Sequence, residues 1–254
     1  IMKSLKFARY QMIDAIIPVK IYYMIFISVI ALITTLAKIF NGSLTSSGIE
    51  FSTVIFIFIV GLNSFKSNFK FSQANNISRK SFVKGLIIAV FPVTAAMSVI
   101  DLVLNRIYNI FVPCPTSYDM IYGPYRGVRM YNELGEIIAI NTNQFLNICG
   151  TIIWQFTVYS VFFIIGIFIS ALYYRSNKIL KVVISAIPFI LLVVLTSSSG
   201  FIPDSIWDGV SRFIVNALGL ESNNPMMAVF SFGVLAAVFS GFIYLLTAKA
   251  VAKD

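Results

Sequence analysis

Residues 65–85 read FKSNFKFSQANNISRKSFVKG. The stretch carries Lys66, Lys70, Arg79, Lys80 and Lys84 and no acid. It separates two apolar runs, each long enough to enter a bilayer. A basic island between two such runs points to a loop at a membrane border, and that reading sets the fold of everything on either side.

The bulk composition agrees. Hydrophobic residues make up 58% of the chain and charged residues 11%, against roughly 25% charged in ordinary soluble domains. Mean hydropathy is +0.88. A soluble core of 254 residues cannot absorb that much apolar surface, so lipid is the expected solvent. The net charge of +9 does not call for nucleic acid, because no basic stripe outside the apolar runs carries interleaved aromatics. Basic loops facing anionic membrane lipids account for it. With two cysteines and no histidine, no Cys/His metal spacing and no histidine-based triad can form. Whether Cys114 and Cys149 pair is left open by the sequence.

Working outward, residues 1–19 are expected to form an interfacial amphipathic helix. Lys3, Lys6, Arg9 and Asp14 mark its polar side, and Leu5, Ala8, Met12 and Ile16 its apolar side. No cleavable signal is expected here. Pro18 disfavours helical geometry at Ile17, which predicts a turn before the first span. Six spans are expected, at 21–37, 49–65, 85–104, 148–174, 182–196 and 226–247. The segment 105–147 is polar and rich in Tyr, Asn, Gly and Pro, too long for a simple connector and read as a small external structure or functional loop. Residues 203–219 predict a short amphipathic external helix. Pro203 stands at its start, Ile206, Val210, Phe213 and Ile214 lie on one face, and Gly219 is its stop. The fold class is therefore all-α membrane protein, one domain over residues 1–254.

An even number of spans puts both termini on one side. The N-terminal tail, the basic island, the loop at 175–181 and the C-terminal tail together hold fourteen of the nineteen Lys and Arg and only two of the ten acids, Asp14 and Asp254. The positive-inside rule then places the termini and the island in the cytoplasm of a multi-pass protein.

No catalytic constellation is evident. There is no phosphate loop of the G-x-x-x-x-G-K-[ST] kind. The polar residues inside spans are Asn63, Asp101, Trp154, Gln155 and Tyr159, which form a candidate substrate path. Asp101 also reads as an interfacial carboxylate paired with Arg106, and Gln155 as a helix–helix hydrogen-bonding residue. Within the island, a short helix is expected to end in a turn at Asn75-Asn76, since Asn tolerates left-handed geometry. Ser78 is a good N-cap for the helix that enters the next span. Arg79 and Lys80 then lie in that helix's first turn, where the macrodipole disfavours cations. They ask for a partner, either lipid phosphate or an acidic groove on another protein.

The segment Asn75-Asn76-Ile77-Ser78-Arg79-Lys80-Ser81-Phe82, followed by Gly85, resembles the G-x-S-R-K-x-F-x-x-G signature of ATP-binding-cassette export permeases of the type-2 class. Asn stands where a Gly is common, and many members lack the long loop before span four. The family's layout of an interfacial N-terminal helix, six spans, a cytoplasmic coupling helix between spans two and three and short external helices between spans five and six has a counterpart along nearly the whole chain. The resemblance implies a permease dimer, with an identical or paralogous second copy, served by separate ATPase subunits that bind the ATP and Mg²⁺. The permease itself is then neither an enzyme nor a cofactor binder. The coupling helix, about residues 68–77, would lie in an ATPase groove, with Phe69, Lys70, Gln73, Ala74, Asn75, Asn76, Ile77, Ser78, Arg79 and Lys80 at the contact. Permeases of this kind in Gram-positive bacteria export lipids, polysaccharide precursors, antimicrobial peptides or amphipathic peptides of the phenol-soluble modulin type. Aromatic-rich spans suit an amphipathic peptide cargo. The alternatives are lipid, polysaccharide-precursor or antibiotic export, and a non-transporting immunity or sensor protein.

Overall fold

The computed structural model describes residues 2–39, 47–128, 140–196 and 204–248. The basic island resolves as the sequence chemistry requires. Helix α1 runs Met2–Ile39, α2 Phe51–Ser64, α3 Lys66–Ala74 and α4 Arg79–Tyr108. Asn76 takes a left-handed backbone, φ 52°, and the Ser78 hydroxyl accepts the Ser81 N–H at 3.2 Å as N-cap of α4. Beyond α4 follow α5 (Ser117–Ile121), α6 (Phe145–Arg175), α7 (Lys178–Thr196), α8 (Asp204–Ala217) and α9 (Pro225–Ala248). The part of the long external segment at 129–139, and the first residue of the 203–219 helix, lie outside the described residues.

Among the described residues, five helical stretches are long and apolar enough to cross a membrane: Ser4–Leu36, Phe51–Ala74, Arg79–Tyr108, Phe145–Arg175 and Pro225–Ala248. At 1.5 Å per residue, α4 and α6 are each about 45 Å long, against a hydrocarbon core of about 30 Å. Their ends therefore project beyond the apolar layer, which is where α3 and the segment around α5 pack.

Helices α2 and α6 form the most extensive pairing. They cross where Gly61 meets Gly166. A Cβ on Gly166 would stand 2.4 Å from the Phe58 carbonyl oxygen, and one on Gly61 2.4 Å from that of Phe163. Small residues that let backbones approach closely are what drive helix association in lipid, where burial against an apolar solvent adds little. Around this crossing Ile57, Val90, Ile164 and Ile167 are buried. By contrast, only 6% of the apolar window of α1, and the same share of α9, is buried within the chain. The apolar residues of α8, among them Phe213 at 73% exposed, are uncovered as well.

Two expectations are corrected. First, the chain does not turn at Pro18: α1 is continuous through it. A proline inside a helix removes one hydrogen bond and clashes with the preceding turn, at a cost of ~3 kcal/mol. Both sides of Pro18 are fixed by packing. Phe7 and Ala8 are buried and press on α4 at Gly85, where a Cβ would meet the Ser4 carbonyl at 2.7 Å, and Tyr23 is buried on the other side. Second, α3 begins at Lys66 and follows α2 through a single residue, Phe65, that is itself in the right-handed helical region. The short helix thus starts and ends earlier than the expected 68–77 and directly continues a span.

Candidate functional site

At the basic end of the bundle, α3 is locked to three long helices by aromatic rings. Phe65 and Phe69 stack at 5.6 Å, and Phe82 of α4 meets them edge-on at 5.6 and 5.3 Å. Tyr174 of α6 lies 5.8 and 5.5 Å from the same two rings, and Phe7 of α1 lies 5.4 Å from Phe82. Such pairs are worth about 0.5–1.5 kcal/mol each beyond burial. The Asn68 amide donates to Gln11 Oε1 at 2.8 Å, a further tie to α1.

The outer side of this element is polar and open. Lys70, Ala74, Asn75, Asn76, Ser78 and Lys80 are exposed, and Gln73 and Ile77 half-buried. Phe71 is exposed and stacks on Tyr10 at 4.7 Å. Two residues predicted at the contact are placed differently. Phe69 is fully buried and serves as the anchor beneath the surface. Arg79 is half-buried and donates to the Ala248 carbonyl at 2.8 Å. That carbonyl is at the C-terminal end of α9, so the cation sits where a helix dipole favours it. The partner that Arg79 needs is supplied from within the chain.

The predicted substrate-path residues fall into two groups. Asn63 lines a cleft of about 200 Å³ near Pro18, together with Gln11, Asp14 and Asn68. Three of the other four, Asp101, Gln155 and Tyr159, cluster in the opposite half of the bundle. Asp101 is 4% exposed and accepts the Tyr23 hydroxyl at 2.7 Å and the Tyr159 hydroxyl on its other oxygen. Tyr22 bonds Ser52 and Thr53 at 2.6 and 2.8 Å. Glu50, Asn105 and Gln155 join Asp101 around a small cavity. Trp154 points the other way, with its indole N–H on the Ser117 hydroxyl at 3.1 Å and its ring against Tyr122 and Phe232. Asp101, Tyr159 and Gln155 are thus brought together, whereas Asn63 and Trp154 stand apart from them.

Asp101 does not pair with Arg106. The Arg106 guanidinium reaches Asp119 at 3.2 Å and Thr142 at 2.6 Å. Asp119 also closes a capping box with Thr116 at the start of α5. The segment after α4 is therefore a structured cap. Ser117 N–H donates to the buried Glu50 carboxylate, Tyr122 to the Leu218 carbonyl and Arg126 to the Leu220 carbonyl. Burial, with the neighbouring Asp119 carboxylate adding to it, pushes the Tyr118 phenol above its usual range. Cys114 and Cys149 are both thiols. Sequence reading missed Tyr23, Glu50 and Thr53. An acid directly before an apolar run was the available signal for Glu50, and the other two carried none.

Five span-length helices, a glycine-mediated crossing and uncovered apolar faces define a multi-pass, all-α membrane protein. No family model, curated protein or solved structure matches the chain.

Proposed function

We propose that this chain is the membrane-spanning permease subunit of an ATP-driven exporter, working as a dimer with separate ATPase subunits and moving an amphipathic cargo, most simply a peptide. In this reading α7 is a sixth span, the basic end faces the cytoplasm of a bacterium and α3 is the coupling helix. The observation that supports it best is the construction of α3. It carries exposed Lys66 and Lys70, and Lys80 is exposed beside it in the first turn of α4, yet Phe65 and Phe69 fix it to α4 and α6 through Phe82 and Tyr174. A push on the outer face must move the spans, because packed aromatic cores respond as bodies rather than deforming continuously. The uncovered faces of α1 and α9 leave apolar surface for lipid and for a second copy.

The test is co-purification and ATPase activity of the reconstituted complex, with amphipathic peptides and lipids added in turn. Lys70→Glu with Lys80→Glu should weaken ATPase capture about tenfold, equivalent to ~1.4 kcal/mol, while leaving the permease folded. Arg79→Glu is the poorer probe, since it also breaks the bond to the Ala248 carbonyl. Retention of full capture and export by the double variant would refute a coupling role for this face.

A further inference from the structure

The cavity between α1, α2, α4 and α6 takes no part in the reading above. Its free space is about 10 Å³, room for one body the size of a water molecule. Phe26 and Ile49 form its apolar wall, and Glu50, Asp101, Asn105 and Gln155 its polar one.

The polar side chains are buried and incompletely bonded. Gln155 is 1% exposed, and neither its oxygen nor its nitrogen has a hydrogen-bond partner among the described residues. Glu50 is 4% exposed; one oxygen accepts the Ser117 N–H and the other, Oε2, has no partner. Asp101 has both oxygens occupied by phenol hydroxyls, the arrangement that suits a charged acceptor. Glu50 is near enough to Asp101 to interact with it electrostatically. Arg106 of α4 pairs with Asp119 and also reaches Asn105 Oδ1 at 3.4 Å, and its Nε and Nη2 have no partner among the described residues. Two buried carboxylates thus face one water-sized space whose lining holds no basic side chain. An uncompensated buried charge costs several kcal/mol, and an unbonded buried amide adds to that.

We propose that this cavity binds one small monovalent cation, with sodium as its type. Glu50 Oε2 and an Asp101 oxygen supply charge, and Gln155 Oε1 supplies a neutral oxygen. The ligand set is all oxygen, as hard cations require. It is too small for calcium, which takes six to eight oxygens, and there is no room for retained waters. The lining holds two carboxylates and two amides but no thiol or imidazole, which argues against a transition metal. A cation here would join the N-terminal end of α2 to α4 and α6, and so would tie the cap to the bundle.

The experiment uses the full chain in lipid nanodiscs. Its thermal unfolding midpoint is followed while sodium chloride replaces choline chloride at constant ionic strength. The expected result is a midpoint that rises with sodium and saturates, as for any ligand that binds only the folded state. That rise should disappear in Gln155→Leu and in Glu50→Gln. Should either variant fail to fold, the sodium-against-choline comparison on the unaltered chain still decides. Equal midpoints in the two salts overturn the proposal. So does a midpoint that follows pH and ignores sodium, which would mean that the two carboxylates share a proton, and so does stabilisation by calcium in place of sodium.

Discussion

Replacing Asp101 by Asn keeps the shape of the side chain but turns one acceptor oxygen into a donor. Tyr23 and Tyr159 each donate to a different carboxylate oxygen, so one phenol hydroxyl must then face an N–H. A buried group left without its partner costs about 1–3 kcal/mol. Asp101→Asn should lower the unfolding free energy by that amount in a chemical or thermal melt, and Asp101→Asn with Tyr159→Phe should recover part of it by removing the stranded hydroxyl. None of this geometry was legible in the sequence. The tyrosines stand 78 and 58 positions away from the carboxylate, and no motif or periodicity connects them. Nearness in sequence instead suggested Arg106, whose true partner, Asp119, sits in the segment read as a small external structure or functional loop, whose internal contacts no motif announced. What was legible was the type of residue: polar groups inside apolar runs must find one another or a cavity, because lipid offers them nothing.

Elements whose shape depends on local chemistry were read more closely. The turn at Asn75-Asn76 and the cap at Ser78 need only adjacent residues, and both form as the residue types dictate. Element ends that depend on packing were misplaced. Pro18 breaks the helix on propensity alone, yet α1 continues because Phe7 and Tyr23 hold its two halves against other helices. The same distinction yields a prediction for the turn. A left-handed backbone costs an ordinary L-residue about 1–2 kcal/mol, and Gly nothing. Asn76→Gly should therefore leave stability within about 0.5 kcal/mol of the parent, and Asn76→Val should lower it by about 1–2 kcal/mol in the same unfolding assay. If α3 transmits work from an ATPase, Asn76→Val should also reduce transport-coupled ATPase activity more than basal activity, since the turn sets the angle between α3 and α4.

At the scale of the whole molecule the open quantity is parity. The five span-length stretches among the described residues would by themselves leave Met2 and Ala248 on opposite sides, whereas a sixth crossing by α7 would return them to one side. Helix α7 has 19 residues, about 28 Å at 1.5 Å per residue, which is close to the thickness of the apolar core. Asn177 precedes it and Asn216 follows it near the end of α8, and both are exposed. Single cysteines at these positions, with Cys114 and Cys149 changed to serine, can be probed with a membrane-impermeant thiol reagent in intact cells and in inverted vesicles. Crossing by α7 predicts that Asn177→Cys labels only in inverted vesicles and Asn216→Cys only in intact cells. Labelling of both from one side would make α7 a surface helix and the protein a five-span one. Between exposed Ser78 and Asn143, α4 is the one span-length helix among the described residues, so cysteines there fix the absolute orientation. The positive-inside rule expects Ser78→Cys to react from the cytoplasm and Asn143→Cys from outside. The reverse pair would turn the basic face of α3 away from any cytoplasmic ATPase, and would remove the export reading while leaving the helix packing as it stands.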